Sequence, residues 1–287
     1  MEGAGEGDGL IRRHVFADIT DYAGDGENVD PYVRRVFYGW WDLSCDPRGF
    51  ALSAYPIPKI GIGEGGGKTF VDVGCNWGRW CIAAARRGYL GIGLDFMPEA
   101  VRAAKRVADE LGLDCHFIIA DARQLPLKKG CADIILSYNA LQYMDEAGID
   151  AAAAESKRVK AEGGIVFAQI ASRWGIRNIY HRLRKLIKYG GAQPPKDHPS
   201  VFLESHLTRA RARRAFSDFK KTSFRPEGFI CMDPRIGDAS MLPLMDRASI
   251  FASKSLTWLA GWFPPLALFA DSVMVRASDG GGEPKWI

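Results

Sequence analysis

One stretch of this chain constrains its fold more than any other. Phe70-Val71-Asp72-Val73-Gly74-Cys75-Asn76-Trp77-Gly78-Arg79-Trp80 runs into an Ala-rich segment and then into Gly91-Ile92-Gly93-Leu94-Asp95. Thr69 to Val73 is a short apolar, β-branched run that ends in glycine, which predicts a buried strand entering a tight turn. Cys81 to Arg87 is rich in Ala and Arg, both strong helix formers, and predicts a helix. Leu90 to Leu94 predicts a second strand, closed by an aspartate. A glycine turn between strand and helix lets a ligand approach bare backbone N–H groups, and an acid ending the next strand can accept hydrogen bonds from a ribose diol. Asp95 follows Gly74 by 21 positions, the spacing of a βαβ unit. The pattern predicts a nucleoside site.

The glycine pattern narrows the choice of nucleoside. A dinucleotide fold needs G-x-G-x-x-G so that pyrophosphate can sit on the helix N-terminus. Here an acid, Asp72, precedes Gly74, Asn76 and Gly78. A carboxylate there repels a pyrophosphate but suits a ligand carrying an amino group. The run resembles motif I of the class I S-adenosylmethionine-dependent methyltransferases, D/E-x-G-x-G-x-G, with Asn76 in place of the middle glycine. Asn tolerates positive φ better than most non-Gly residues, so the turn survives the exchange.

The resemblance extends over roughly residues 67–172. Cys115-His116-Phe117-Ile118-Ile119-Ala120-Asp121-Ala122 reads as a third strand with an acid after it, and the family places its adenine contact there. Gly130 to Tyr138 is similar to motif IV, a fourth strand opening on the cleft, and Glu162 to Ala168 to the turn into the fifth strand. The resemblance implies a Rossmann-like α/β fold: a seven-stranded, mostly parallel sheet with helices on both faces, an N-terminal helical segment and a helical lid insertion. It implies S-adenosylmethionine as cofactor, held by Asp72, Gly74, Cys75, Asn76, Trp77, Gly78, Asp95, Phe96, Asp121, Ala122 and Tyr138.

The rest of the chain is read around that core. Residues 1–66 are expected to be a disordered acidic, Gly-rich tail and a cap segment, and 67–287 the methyltransferase domain. Tyr38-Gly39-Trp40-Trp41 either lines an acceptor pocket or packs the segment onto the core; large aromatics serve both ends. Gly61 to Gly67 reads as a linker. An insertion spans roughly 173–205. In it Ile176, Ile179, Tyr180, Leu183, Leu186 and Ile187 follow one helical face, with Arg177, His181, Arg182, Arg184, Lys185 and Lys188 on the other. Residues 173–221 carry thirteen Lys/Arg against three Asp/Glu. That helix is read first as a lid packed on its own domain, with docking on an anionic membrane surface or an acidic substrate as the other possibility. Thr208 is placed to cap a helix reaching about Phe219. Strands are expected at 221–231 and 269–277. Leu256 to Val275 is apolar, but Pro264-Pro265 and Asp271 argue for a short helix, a break and a buried strand in place of a membrane span.

Six scattered cysteines with no C-x-x-C pair read as core residues, neither a metal site nor a disulfide framework. The N-terminus lacks the basic and apolar regions of a signal peptide, so a cytoplasmic protein is expected. Methyl transfer needs a base only when the acceptor is a weak acid such as an alcohol. Tyr138, Tyr143, His198 and His206 are the candidates. The expected acceptor is a small molecule bearing a hydroxyl: a natural product, sugar or quinone-like compound. RNA or protein docked on the basic 173–221 region is the competing reading. Against it, residues 137–142 read Ser-Tyr-Asn-Ala-Leu-Gln, without the N-P-P-[YF] pattern of exocyclic-amine methylation. A non-catalytic cofactor-binding protein is disfavoured by the nearly intact motif I. The sequence does not fix the oligomeric state.

Overall fold

The computed structural model describes residues 29–41, 55–189, 205–230 and 244–280. The chain divides into two compact units, Met1–Tyr55 with Gln193–Phe202, and Pro56–Ala192 with Leu203–Ile287. In the first, helix α1 (Pro31–Trp41) starts where the Asp30 carboxylate accepts the Tyr32 N–H at 2.8 Å, and the Tyr55 hydroxyl accepts the Asp30 N–H at 3.1 Å.

The second unit holds the sheet. Its elements are β1 (Thr69–Val73), α2 (Arg79–Ala85), β2 (Leu90–Asp95), α3 (Pro98–Glu110), β3 (Cys115–Ile119), β4 (Ala132–Ser137), α4 (Glu146–Val159), β5 (Lys160–Ala171), α5 (Ile176–Tyr189), α6 (Arg209–Ala215), β6 (Lys221–Pro226), α7 (Leu244–Trp262) and β7 (Ser272–Ser278). Short 3₁₀ turns cover Leu141–Tyr143 and Pro264–Phe269. The strand order is β3-β2-β1-β4-β5-β7-β6. β7 runs antiparallel to both of its neighbours, and the other pairings are parallel. This is the expected seven-stranded, mostly parallel sheet.

β1, in the interior of the parallel part, is buried on both faces, as such strands must be. Successive residues therefore feed different cores. Phe70, Leu136 and Phe167 pack with Trp80, Tyr89 and Tyr138 under α2. Their neighbours Val71, Ile135 and Val166 pack with Ile149, Ala153 and Phe216 from α4 and the α6 end. α3 buries Ala100, Ala103, Ala104, Val107 and Ala108, one continuous helical stripe of small side chains.

Several elements differ from expectation at their ends. α2 starts at Arg79, ahead of Cys81, because Gly78 in the left-handed region serves as its N-cap. The helix capped by Thr208, whose hydroxyl accepts the Arg211 N–H at 3.2 Å, stops at Ala215. β6 ends at Pro226, and β7 starts at Ser272. The helix before Pro264 is longer than the short one expected and reaches back to Leu244. Gly61–Gly67 is no free linker: the Gly65 and Gly67 N–H groups donate to Arg87 and Gly88 carbonyls at 2.7 and 2.9 Å. On α5, Leu183 and Leu186, expected to rest on the domain, are exposed. No helix among the described residues is long and apolar enough to cross a membrane.

Gly78 shows how tightly α2 is seated. A Cβ there would lie 2.6 Å from the Phe117 ring and 3.1 Å from Ala104, at a φ of 78°. Gly112, at φ 64°, has open space around it. Gly112→Ala should therefore cost only the left-handed backbone penalty, about 1 kcal/mol. Gly78→Ala should add an overpacking penalty and cost roughly 3 kcal/mol. Urea denaturation of the two variants measures the difference; equal costs would mean that the α2–β3 contact is loose.

Candidate functional site

The chain runs from β1 outward to β3 and then returns to β4 on the other side of β1. That reversal opens a crevice at the carboxyl ends of β1 and β4, where open α/β sheets bind ligands. The turn after β1 forms its floor. The Gly74 and Cys75 N–H groups both donate to the Leu94 carbonyl, at 2.7 and 3.0 Å. Gly74 and Asn76 take positive φ, 79° and 50°. The Asn76 side-chain oxygen accepts the Trp77 N–H at 2.8 Å, so the residue replacing glycine stabilises its own turn. A side chain at Gly74 would drive its Cβ to 2.3 Å from that of Ala140, on the loop after β4.

Asp95 ties this turn to β2. Its Oδ2 accepts the Asn76 N–H at 2.8 Å and its Oδ1 the Met97 N–H at 2.9 Å. Each oxygen keeps a second lone pair for a diol. Burial pushes the Asp95 carboxyl up, and the N–H groups of Met97 and Asn76 pull it back part-way. Asp72 is stranger. It is buried, and neither oxygen has a hydrogen-bond partner. Burial raises its carboxyl to about 8; the Arg79 guanidinium lowers it and Asp95 raises it further. A buried carboxylate without a partner is costly, so this site calls for a cation or a donor.

The other expected cofactor residues divide into two sets. Phe96, exposed, follows Asp95, and the Ala120 N–H donates to the Asp95 carbonyl at 3.0 Å, which brings the Asp121 turn alongside. Asp121 is engaged by Arg123: its Oδ1 accepts the backbone N–H at 2.8 Å and Nε at 3.0 Å, and these bonds hold its carboxyl below the usual range. Ala122 packs against the α4-side core. Cys75 and Trp77 are buried, so the turn presents their backbone and not their side chains.

Among the four expected base candidates, Tyr138 is buried, its ring centroid 4.8 Å from that of Trp80, with the Arg79 guanidinium 5.5 Å from its own. Its hydroxyl lies 3.4 Å from Glu227 Oε1. Tyr143 is exposed on the 3₁₀ turn after β4. His206 is half-buried between two pinned neighbours: the Ser205 N–H donates to the Gln142 carbonyl at 2.7 Å and the Leu207 N–H to Ala171 at 2.9 Å. These bonds tie the backbone around His206 to the turn after β4 and to the end of β5. His198 lies outside the described residues. Sequence reading missed Arg79, Gln142 and Glu227. Glu227 is 89 positions from Tyr138, and no local pattern joins them. Among the described residues no group of three or more His, Cys, Asp or Glu could hold a metal ion.

Known proteins resemble this chain over its sheet core. A family model described as a methyltransferase domain matches residues 70–164, from β1 to the start of β5. Over these residues the chain is similar to that methyltransferase-domain family. It is similar to norajmaline N-methyltransferase of Rauvolfia serpentina, 31% identical over 28% of each chain. It is also similar to the ubiquinone biosynthesis O-methyltransferase of Saccharophagus degradans, 26% identical over 48% of this chain and 59% of that one. A solved S-adenosylmethionine-dependent methyltransferase of Methanosarcina mazei is 21% identical over 56% of this chain and 84% of its own, with a TM-score of 0.46. The chain thus spans well under two thirds of the length of these curated relatives. The residues present fit the family's cofactor: a buried, unpartnered carboxylate for an ammonium, a second with lone pairs for a diol, and a turn closed to side chains.

The Asp72 carboxyl gives the site a signature in pH. Its folded pKa of about 8 stands above the ordinary 3.8. Relative to the unfolded chain, its contribution to stability is full below pH 4, declines as pH rises, and is lost above about pH 8. Asp72→Asn should therefore stabilise the ligand-free protein at pH 8 by on the order of 5 kcal/mol, with the gain vanishing near pH 4. Denaturation of both proteins across that range checks it. A pH-independent difference would mean that Asp72 titrates normally.

Proposed function

We propose that this chain transfers a methyl group from S-adenosylmethionine to a hydroxyl oxygen of a small molecule, of the natural-product, sugar or quinone-like kind. The observation that carries the reading is Asp72, buried without a partner beside the Asp95-bound turn. Asp72 would hold the ammonium of the amino-acid moiety, Asp95 the ribose hydroxyls, and Asp121 the adenine amino group, shared with Arg123. Phe96 and Ala122 would flank the base, and the backbone of Gly74 to Gly78 would line the amino-acid end. When bound, the cofactor supplies a methyl on a sulfonium whose departing sulfur needs no proton. The chain's own work is then to orient the acceptor and to take up its hydroxyl proton.

His206 is the base that the geometry favours. What supports this reading is that the backbone of its two neighbours is tied to Gln142 and Ala171, at the turn after β4 and the end of β5. Tyr143 is the second candidate, and Tyr138, engaged by Glu227 and Trp80, acts as packing. The small-molecule reading draws support from relatives that are named for norajmaline and for ubiquinone biosynthesis. RNA or protein docking on 173–221 is weakened because part of that charge is neutralised internally. Arg211, for instance, pairs with Glu146 and Asp150 at 2.6 and 2.8 Å.

Two measurements test this. Asp95→Ala should weaken S-adenosylmethionine binding on the order of tenfold to a hundredfold by calorimetry, the value of charge-assisted hydrogen bonds. Wild-type affinity in that variant would remove Asp95 from the site. With a panel of phenols, quinols, sugars and amines and an isotopically labelled methyl donor, mass spectrometry should find label on oxygen. His206→Ala should then lower kcat about a hundredfold and flatten the acidic limb of its pH profile. Label only on nitrogen would refute the hydroxyl acceptor, and an unchanged kcat would refute the base.

A further inference from the structure

The outer face of α7 is built the wrong way round for a helix that ends in water. Arg247, Phe251, Lys254, Trp258 and Trp262 recur at spacings of four, three, four and four, which puts them on one stripe. All five are exposed, Phe251 by 73%, Trp258 by 65% and Trp262 by 76%. The stripe is not the open side of a detached helix. Its opposite face buries Ile250, Ser253 and Ala260, and the Ser253 hydroxyl accepts the Phe229 N–H at 3.1 Å. The apolar surface continues past the helix through Phe263 and the 3₁₀ turn, where Leu268 and Phe269 are also exposed.

Charge tells which partner this surface fits. From Arg247 to Ala270 there is no Asp or Glu, while Arg247 and Lys254 stand within the aromatic stripe. Exposed Trp and Phe interleaved with cations suit the interface of an anionic bilayer, where the rings enter the headgroup layer and the cations meet lipid phosphate. A symmetric contact with a second copy would bring this stripe onto itself, and the stripe carries no acid of its own to pair with Arg247 and Lys254. α5 shares the same character and starts close by. Its N-terminus is fixed where the Arg177 N–H donates to Asp271 Oδ1 at 2.7 Å, two residues after Phe269. Its Tyr180, Leu183, Leu186 and Ile187 are exposed, and residues 172–196 contain no acid.

We propose that the stripe of α7 and the turn after it form a docking face for an anionic phospholipid membrane. The face ends at Ala270, where β7 enters at the carboxyl edge of β5. An acceptor dissolved in the bilayer would thus reach the cleft from this side. That consequence rests on the proposed methyl transfer; the docking itself does not.

Vesicle co-sedimentation tests the docking without any turnover. The full chain should bind phosphatidylcholine vesicles containing about a quarter phosphatidylglycerol far better than pure phosphatidylcholine, and bromine on the acyl chains should quench its tryptophan fluorescence. Trp258→Ser with Trp262→Ser should reduce binding at least tenfold and remove most of the quenching. Arg247→Gln with Lys254→Gln, which leaves the aromatics in place, should reduce binding by roughly tenfold on the anionic vesicles only. Failure of the wild type to bind anionic vesicles at low salt would overturn the proposal. So would unchanged binding in the charge variant, or a wild-type dimer in solution that the tryptophan variant dissolves, since a second copy would then be the occupant.

Discussion

The site depends on the way the end of β2 holds the turn after β1. The Leu94 carbonyl accepts two successive N–H groups from Gly74 and Cys75, and the next residue, Asn76, donates to the Asp95 carboxylate. Three consecutive amides are thereby fixed by one neighbouring strand end. The positive φ values of Gly74 and Asn76 make this possible, since they turn those amides inward without lengthening the loop. α2 can then begin immediately at Arg79 and lay Trp80 over the sheet. The same turn therefore seats the helix and shapes the ligand cradle.

The arrangement carries an energetic cost that a ligand can relieve. Asp72 and Asp95 are both buried, Asp95 adds to the cost of charging Asp72, and neither carboxyl oxygen of Asp72 has a hydrogen-bond partner among the described residues. Structures keep such strained groups where the surroundings over-determine them, chiefly at functional sites. Arg79 offsets part of the charge from outside the cradle. It also lies over the rings of Trp80 and Tyr138, which links the carboxylate to the packing on the α2 side of the sheet. Tyr138 in turn reaches Glu227 at the end of β6, and Ser272 ties the Glu227 carbonyl to Gln169 on β5. A buried polar network thus closes the carboxyl edge from β4 to β6.

Two helices outside the Rossmann-like core, α5 and α7, leave aromatic and aliphatic side chains in solvent, with no acid from 172 to 196 or from 247 to 270. Both attach at the same carboxyl edge, α5 through Asp271 and α7 through the turn that precedes it. Exposed apolar surface on this scale marks an interaction face rather than a scattered excess. The core and these helices answer separate demands. The core carries the proposed cofactor crevice, and the two helices carry the exposed apolar faces.

The sequence by itself determined the strands from Thr69 to Ser137 and the glycine turn between β1 and α2. Buried parallel strands are short, unbroken apolar runs, and the Asp72–Gly74–Asn76–Gly78 spacing encodes a turn whose hydrogen bonds are all local to one βαβ unit. The α5 periodicity was equally legible, but periodicity gives only the width of an apolar face. Whether Leu183 and Leu186 meet protein or solvent depends on what the rest of the chain leaves uncovered, and here they are exposed. Asp121 could be recognised by position, yet its engagement by Arg123 depends on side-chain geometry. Tyr138 and Glu227 meet across 89 positions, and Ser205 and Leu207 are tied to the turn after β4 and the end of β5 from a distant part of the chain. Local chemistry is written in adjacent residues; contacts between distant segments exist only once the sheet has assembled them.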